Sequence, residues 1–188
     1  MTEDKKPSWG KWGTWEETES FLGKEIGVTI GADDVEKGSI RRWLEPKEFD
    51  CPLFYDEETA KKAGYNGTIA PLTMVITYGV GPYWKPGDPL SKPGDPPNQI
   101  SLPVLDVVPA PCTLSFASEI DIEFFEPMYI GDQITCTDKL TKIFKKELRV
   151  GKGAFLSQES TYTNQREKVV AKLTIVVFRF SPVEKKEG

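Results

Sequence analysis

Asp50 and Asp56, with Cys51 beside the first of them, are the residues whose types and spacing come nearest to proton-transfer chemistry. They lie in the stretch 48–72, EFDCPLFYDEETAKKAGYNGTIAPL, in a chain that contains no histidine. A chain without histidine can still use a carboxylate whose pKa its surroundings have raised. Asp56 has a better account: followed by Glu57, Glu58 and Thr59, it has the pattern of a helix start. Its side-chain oxygen accepts orphan backbone N–H groups, and the acidic residues after it complement the helix dipole. Asp50 reads as a solvated loop charge. Cys–His nucleophilic catalysis within the chain is excluded. Cys51, Cys112 and Cys136 are widely spaced with no CxxC pair, so neither a disulfide framework nor a zinc site is suggested, and each reads as a small buried hydrophobe. No glycine-rich loop stands between a strand and a helix, which leaves metal, nicotinamide and phosphate-loop chemistry without support.

The elements that must hold this stretch follow from pattern. Thr14 with Glu17 forms a capping box and Gly23 suits a helix end, predicting a short helix over Thr14 to Leu22. Ile26 to Ile30 reads as a strand with Val28 and Ile30 on one face. Ser39 to Leu44 reads as a helix with Ile40, Trp43 and Leu44 on its stripe, stopped by Pro46. A third helix runs from Glu57 to about Lys62. After the turn cluster Gly64-Tyr65-Asn66-Gly67, Thr73 to Tyr78 is the most apolar helical segment, begun by Ala70-Pro71 and ended by Gly79, Gly81 and Pro82. So short a helix leaves volume beyond its C-terminal end, which either Tyr83 and Trp84 fill or a cleft occupies.

Residues 84–111 are rich in proline and glycine, with KPGDP present twice, and read as a long loop of turns acting as a lid, pocket wall or partner contact. Its run Ile100 to Val108 is expected to pack. Four strands complete the chain: Leu114 to Phe124 with Phe116, Ile120 and Ile122 in alternation, Gln133 to Phe144 with Ile134, Cys136 and Leu140 inward, Ala154 to Thr163 after the glycines of 150–153, and Val169 to Phe180 with Ala171, Leu173, Ile175 and Val177 inward. Antiparallel neighbours with short turns, preceded by helices, define an α+β domain over 14–181 in which a sheet covers a helix. Residues 1–13 form an arm whose Trp9 and Trp12 lie across the domain or a partner, and 182–188 form a charged tail.

The 48–72 stretch resembles the active-site segment of the MaoC-like, R-specific enoyl-CoA hydratases and dehydratases, whose motif runs roughly Gly-Asp-x-Asn-Pro-(Ile/Leu)-His-x-Asp, then Ala, then Ile-Ala-His-Gly. Pro52, Leu53, Asp56, Ala60, Gly64, Ile69 and Ala70 keep the frame. Phe49 falls where that family has its catalytic Asp, Cys51 where it has Asn, and Phe54 where it has the catalytic His. Pro71-Leu72 replaces the later His-Gly, so the resemblance is to the degenerate N-terminal, FAS1-like dehydratase repeat that lacks the Asp/His dyad. The early stop at Pro46 is a second departure, since in the family that helix tends to run further. Ile130-Gly131-Asp132, Gly151-Lys152-Gly153 and Tyr162-Thr163-Asn164-Gln165 resemble the second half of the repeat.

The resemblance implies a single hot-dog fold, an antiparallel sheet wrapped around the short central helix, with subunits joined sheet edge to sheet edge and the acyl-thioester site at their interface. It implies no cofactor beyond the acyl-CoA substrate itself, and a partner: a His-containing MaoC-like hot-dog subunit that supplies the dyad. Phe49, Phe54 and Tyr55 at the vacated dyad, and Thr73, Met74 and Tyr78 along the central helix, are the expected substrate-binding residues. A cleft beyond the short helix would suit a bulky acyl group such as a steroid side chain, with Ile100 to Val108 along its tunnel.

Composition bounds these expectations. An apolar share of 38% over 188 residues is enough for one core. No apolar run approaches the roughly 20 residues of a membrane span, and MTEDKKPSW has no signal-peptide centre, so a cytoplasmic protein is expected. A net charge of −5 argues against nucleic acid. The lysines of Lys142 to Arg149 form a solvated turn or meet the phosphates of coenzyme A. Two other readings stay open: a hot-dog acyl-CoA thioesterase using Asp50 or Asp56, and a non-enzymatic acyl-thioester-binding scaffold.

Overall fold

Alternating β-branched and aromatic residues dominate the second half of the chain, and there they build the sheet that everything else covers. A computed structural model describes residues 10–92 and 101–182. Its strands are β1 (Glu25–Ile30), β2 (Leu114–Phe124), β3 (Ile134–Leu148), β4 (Gly151–Asn164) and β5 (Val169–Pro182). They form one antiparallel sheet in the order β1-β3-β4-β5-β2, so β1 and β2 are its two edges. The helices are α1 (Trp15–Ser20), α2 (Lys37–Leu44), α3 (Glu57–Lys62), α4 (Val75–Tyr78) and α5 (Pro103–Asp106). This is the expected α+β hot-dog arrangement, with α4 as the central helix.

The caps act as the sequence requires. Thr14 and Glu17 form the capping box, with Glu17 N–H to Thr14 Oγ1 at 3.2 Å and Thr14 N–H to Glu17 Oε2 at 2.7 Å. Asp56 accepts from the Glu58 N–H at 3.1 Å and from the Thr59 hydroxyl at 2.7 Å, starting α3. Gly23 takes a φ of 76°, the left-handed geometry that glycine adopts freely after a helix.

Several expectations need correction. Pro46 does not end the helical path: a 3₁₀ turn at Glu45–Lys47 extends α2, with the proline in its first turn where no N–H is needed, and Glu48 at φ 47° stops it. The central helix is a single α-turn preceded by a 3₁₀ turn at Leu72–Met74. Val28 and Ile30 do share a face, but both are exposed on an edge strand whose register shifts between Glu25 and Gly27. Gly151 and Gly153 belong to β4 itself, since the turn uses only Arg149 and Val150. A Cβ on Gly153 would lie 1.9 Å from the Arg179 carbonyl oxygen, so glycine there permits a close strand approach. Cys112 and Cys136 are buried as expected, whereas Cys51 is half-buried.

The loop before β2 is packed: α5 buries Val104 and Val108 against Leu140, Leu156 and Val177. Its first KPGDP is a turn, in which Asp88 Oδ2 accepts from the Lys85 N–H at 2.8 Å. The described end of the arm, residues 10–13, lies across its own domain, with Lys11 bonded to Leu105 at 2.7 Å and to Ala110 at 3.1 Å. Arg179, wholly buried, fastens both segments to the sheet. Its guanidinium donates to the carbonyls of Val108 at 2.5 Å, Lys11 at 2.8 Å and Val104 at 3.5 Å. Trp9, Ile100 and residues 183–188 of the tail fall outside the described residues.

Candidate active site

The 48–72 stretch forms one wall of a cavity of about 550 Å³ whose opposite wall is α2. The left-handed Glu48 turns the chain so that Phe49 N–H bonds to the Leu44 carbonyl at 3.3 Å, and the 3₁₀ turn Pro52–Phe54 brings the next aromatic back beside it. The Phe49 and Phe54 rings stand 5.7 Å apart and tilted by 46°. With Ile40 and Leu44 they make an apolar chamber, and Lys37 and Arg41 also line it. Phe49 is 51% exposed and Phe54 is half-buried, so neither is sealed in the core. Tyr55 also lines the chamber and donates its hydroxyl to Asp50. That hydrogen bond to the carboxylate holds the Tyr55 phenol above its ordinary pKa.

The Phe49 and Phe54 side chains themselves have no proton to give or accept. The hydrogen bond from Thr59 and those from the Glu58 and Thr59 backbone hold the Asp56 carboxyl below its ordinary value, the opposite of what a near-neutral base needs. A folded pKa below the unfolded one gives stability that is present above the unfolded value and lost as pH falls through the folded value. Asp56→Ala is therefore expected to lower the thermal midpoint at pH 7 by a few degrees. The gap to the parent should narrow below about pH 4; a gap independent of pH would show that the charge contributes nothing to the cap.

Of the other expected site residues, Thr73 is exposed, and Met74 and Tyr78 are buried in the core. The Tyr78 hydroxyl lies 2.5 Å from Ser39 Oγ, tying the central helix to α2. These three do not line the chamber formed by Phe49, Phe54 and Tyr55. The central helix instead meets a second cavity of about 430 Å³ through Ile76 and Gly79. This is the volume that the short helix leaves. Tyr83 borders it and Trp84 stays 47% exposed outside it, so the two aromatics do not fill it. Backbones pack closely beside it: a Cβ on Gly31 would lie 2.0 Å from the Tyr78 carbonyl oxygen, and one on Gly79 would lie 2.4 Å from the Tyr162 ring. Leu102 and Pro103 roof it, and all five strands contribute to its floor.

In that floor lies a group that reading the sequence by residue type missed. Asp138 has the same strand parity as Ile134, Cys136 and Leu140 and faces inward, only 4% exposed. A charged residue at a core position of the alternation was the available signal. Burial raises the Asp138 carboxyl pKa, against the opposing hydrogen bonds of Ser160, Cys136 and Gln158. Its titratable neighbours are kept neutral: burial pushes the Cys136 thiol up to about 12 and raises the Tyr162 phenol further still. A carboxylate raised on folding is most compatible with the fold below its unfolded pKa, and stability is lost as pH rises through the folded value. Asp138→Asn is therefore expected to raise the thermal midpoint at pH 7, with the gain vanishing below about pH 4. A lower midpoint at pH 7 would show that the three donors outweigh burial.

The sheet wrapped around the central helix defines a hot-dog fold. The chain belongs to the FAS1-like, dehydratase domain region family, whose model matches residues 20–173. It is 26% identical over 166 residues to the probable enoyl-CoA hydratase alpha subunit of Thermomonospora curvata. That alignment covers 87% of this chain and 51% of the relative, so the chain spans about half the length of the curated relative it matches. In fold it is similar to a chain in the ChsH1-ChsH2 complex from Mycobacterium tuberculosis, with a TM-score of 0.68 and 18% identity over 89% of this chain and 96% of that one. It is likewise similar to the MaoC-like dehydratase from Rhodospirillum rubrum, with a TM-score of 0.57 and 20% identity over 86% of this chain and 94% of that one. Among the described residues no helix is long and apolar enough to cross a membrane, and no group of three His, Cys, Asp or Glu side chains could hold a metal ion.

Proposed function

We propose that this chain is the pocket-forming, non-catalytic subunit of a heteromeric R-specific enoyl-CoA hydratase or 3-hydroxyacyl-CoA dehydratase of the cytoplasm, and that a His-containing MaoC-like hot-dog subunit supplies the dyad. The observation that carries this reading is the chamber formed by Phe49 and Phe54 at the two dyad positions, in a chain without histidine. Hydrating an enoyl thioester needs a base to take a proton from water and an acid to return it to the α carbon, and phenylalanine is neither. The likeness to an alpha subunit, and to a chain of a two-component complex, supports a partner. The cavity of about 430 Å³ beyond the short central helix supports a bulky acyl group, of the size of a steroid side chain. The thioesterase alternative loses its carboxylates, since Asp56 caps α3 and Asp50 is bonded to Tyr55. The test is hydration of enoyl-CoA by the chain alone and by its mixture with the His-containing subunit. Activity confined to the mixture supports the proposal; equal activity from the chain alone overturns it.

A further inference from the structure

The inner face of a sheet that wraps a helix is expected to be apolar, and Ile134, Leu140, Leu156 and Val177 follow that rule. It is broken where Asp138 meets Gln158 and Ser160 across β3 and β4, on the floor of the second cavity. Asp138 Oδ1 accepts from Ser160 Oγ at 2.5 Å and Gln158 Nε2 at 2.7 Å, with Cys136 Sγ at 3.6 Å. Gln158 cannot turn away, because its Oε1 accepts from the Val104 N–H at 2.8 Å and so ties the cavity roof to the floor. All three donors converge on one carboxylate oxygen. The other, Oδ2, has no hydrogen-bond donor among the described residues, on a side chain that lines the cavity.

A carboxylate only 4% exposed among apolar core residues costs stability that an apolar residue would not, so packing does not explain it. Oδ2, on the β1 side near Gly27, belongs to a side chain that its neighbours fix and that lines the cavity, which makes it an acceptor available to a bound donor. We propose that Asp138 Oδ2 accepts a hydrogen bond from a hydroxyl carried on the acyl group, so that the complex selects bulky acyl thioesters that are hydroxylated on their body. This rests on the acyl-binding reading above and names the substrate class for the same cavity. The walls select among donors. Asp138 is the one carboxylate among the described lining residues, and Ile120, Leu173, Ile175, Leu102 and Pro103 make much of the wall apolar, so a charged ammonium would lose far more hydration on entering than a neutral hydroxyl does. A ketone has nothing to donate.

The experiment uses the complex of this chain with its His-containing subunit and three enoyl-CoA thioesters sharing one ring-bearing acyl group, with a hydroxyl, a ketone or hydrogen on the ring. Hydration is followed for each, and binding of the corresponding saturated thioesters is followed by calorimetry. The expected result is kcat/KM at least about tenfold higher for the hydroxyl than for the ketone, the discrimination of one buried hydrogen bond. Asp138→Asn keeps an acceptor for Gln158 and Ser160 but turns an N–H toward the cavity, so the hydroxyl-to-ketone ratio should fall at least about tenfold. A purely structural role for Asp138 would lower all three substrates together and leave that ratio where it was, which overturns the proposal. So does a parent complex that treats the three alike, or thioester hydrolysis abolished by Asp138→Asn, which would make Asp138 a base. If no enoyl thioester is hydrated but binding still shows the hydroxyl preference and its reversal, the hydratase reading falls and the Asp138 subsite stands.

Discussion

Purified alone, the chain is expected to hydrate an enoyl-CoA no faster than buffer does, and addition of the His-containing subunit should raise the rate by at least about 10²- to 10⁴-fold, the usual contribution of a positioned acid and base. The expectation follows from what stands at each candidate position. Phenylalanines stand at the positions proposed for the dyad, Asp56 is committed to α3, and Asp50 is bonded to Tyr55; of the buried carboxylates, Asp132 is held by the Tyr129 N–H and by Arg166, and Asp138 lies in a different cavity. Enlarging the chamber with Phe54→Ala in the mixture is expected to act mainly on KM, because the ring contributes contact area and not a proton. A variant that lowered kcat alone would mean that this ring organises the partner's reacting groups. Steady-state rates on one enoyl-CoA, with the two subunits at equal and at unequal concentrations, separate these outcomes.

Arg179→Met should lower the unfolding free energy by about 3 kcal/mol, a loss of roughly 6–12 °C in thermal midpoint for a domain of this size. The guanidinium is wholly buried, Nε has no partner, and no ion pair to a carboxylate forms among the described residues. Burial holds its pKa below the ordinary value. Methionine removes that desolvation cost, yet it takes the guanidinium donor from the buried carbonyls of Val104 and Val108 and leaves the Lys11 carbonyl with the Ala110 N–H alone. Their loss outweighs the gain, because charge-assisted hydrogen bonds are the stronger kind and an unmet buried carbonyl costs its full desolvation. Arg179→Lys should fall between the two, since one ammonium cannot span three carbonyls from separate segments. A stability equal to the parent's in the methionine variant would show that water reaches these carbonyls.

Much of this was legible in the sequence because it depends on local chemistry. The Thr14 and Asp56 caps and the alternation in the four long strands declare themselves within a few residues. What was not legible depends on distant partners. Gly151 and Gly153 have the composition of a turn, and only the approach of β5 explains them as strand residues. Met74 and Tyr78 have the spacing of a pocket-lining helix, but α2 covers that face through Ser39. Asp138 is one polar letter in ITCTDKL, and its meaning depends on Gln158 and Ser160 one strand away and on Val104 in a loop. Arg179 likewise looks like a surface charge until the arm and α5 fold over it.

The two margins of the sheet are unequal. β1 spans only Glu25–Ile30 and has Pro103 of α5 against Gly27; its register shift at Glu25–Gly27 has a counterpart in β2 at Ala117–Glu119. β2 runs over Leu114–Phe124 and leaves Phe116 and Ile120 exposed. A sheet with two open margins can grow by head-to-tail addition without limit, as fibres do. Here one margin is blunt, so an association that uses β2 on both sides consumes the only good template each molecule has, and growth stops at a pair. The same asymmetry makes a second copy of this chain a competitor for whatever other subunit uses β2, and the ratio of the two subunits in the cell would then set how much of either is found in mixed pairs.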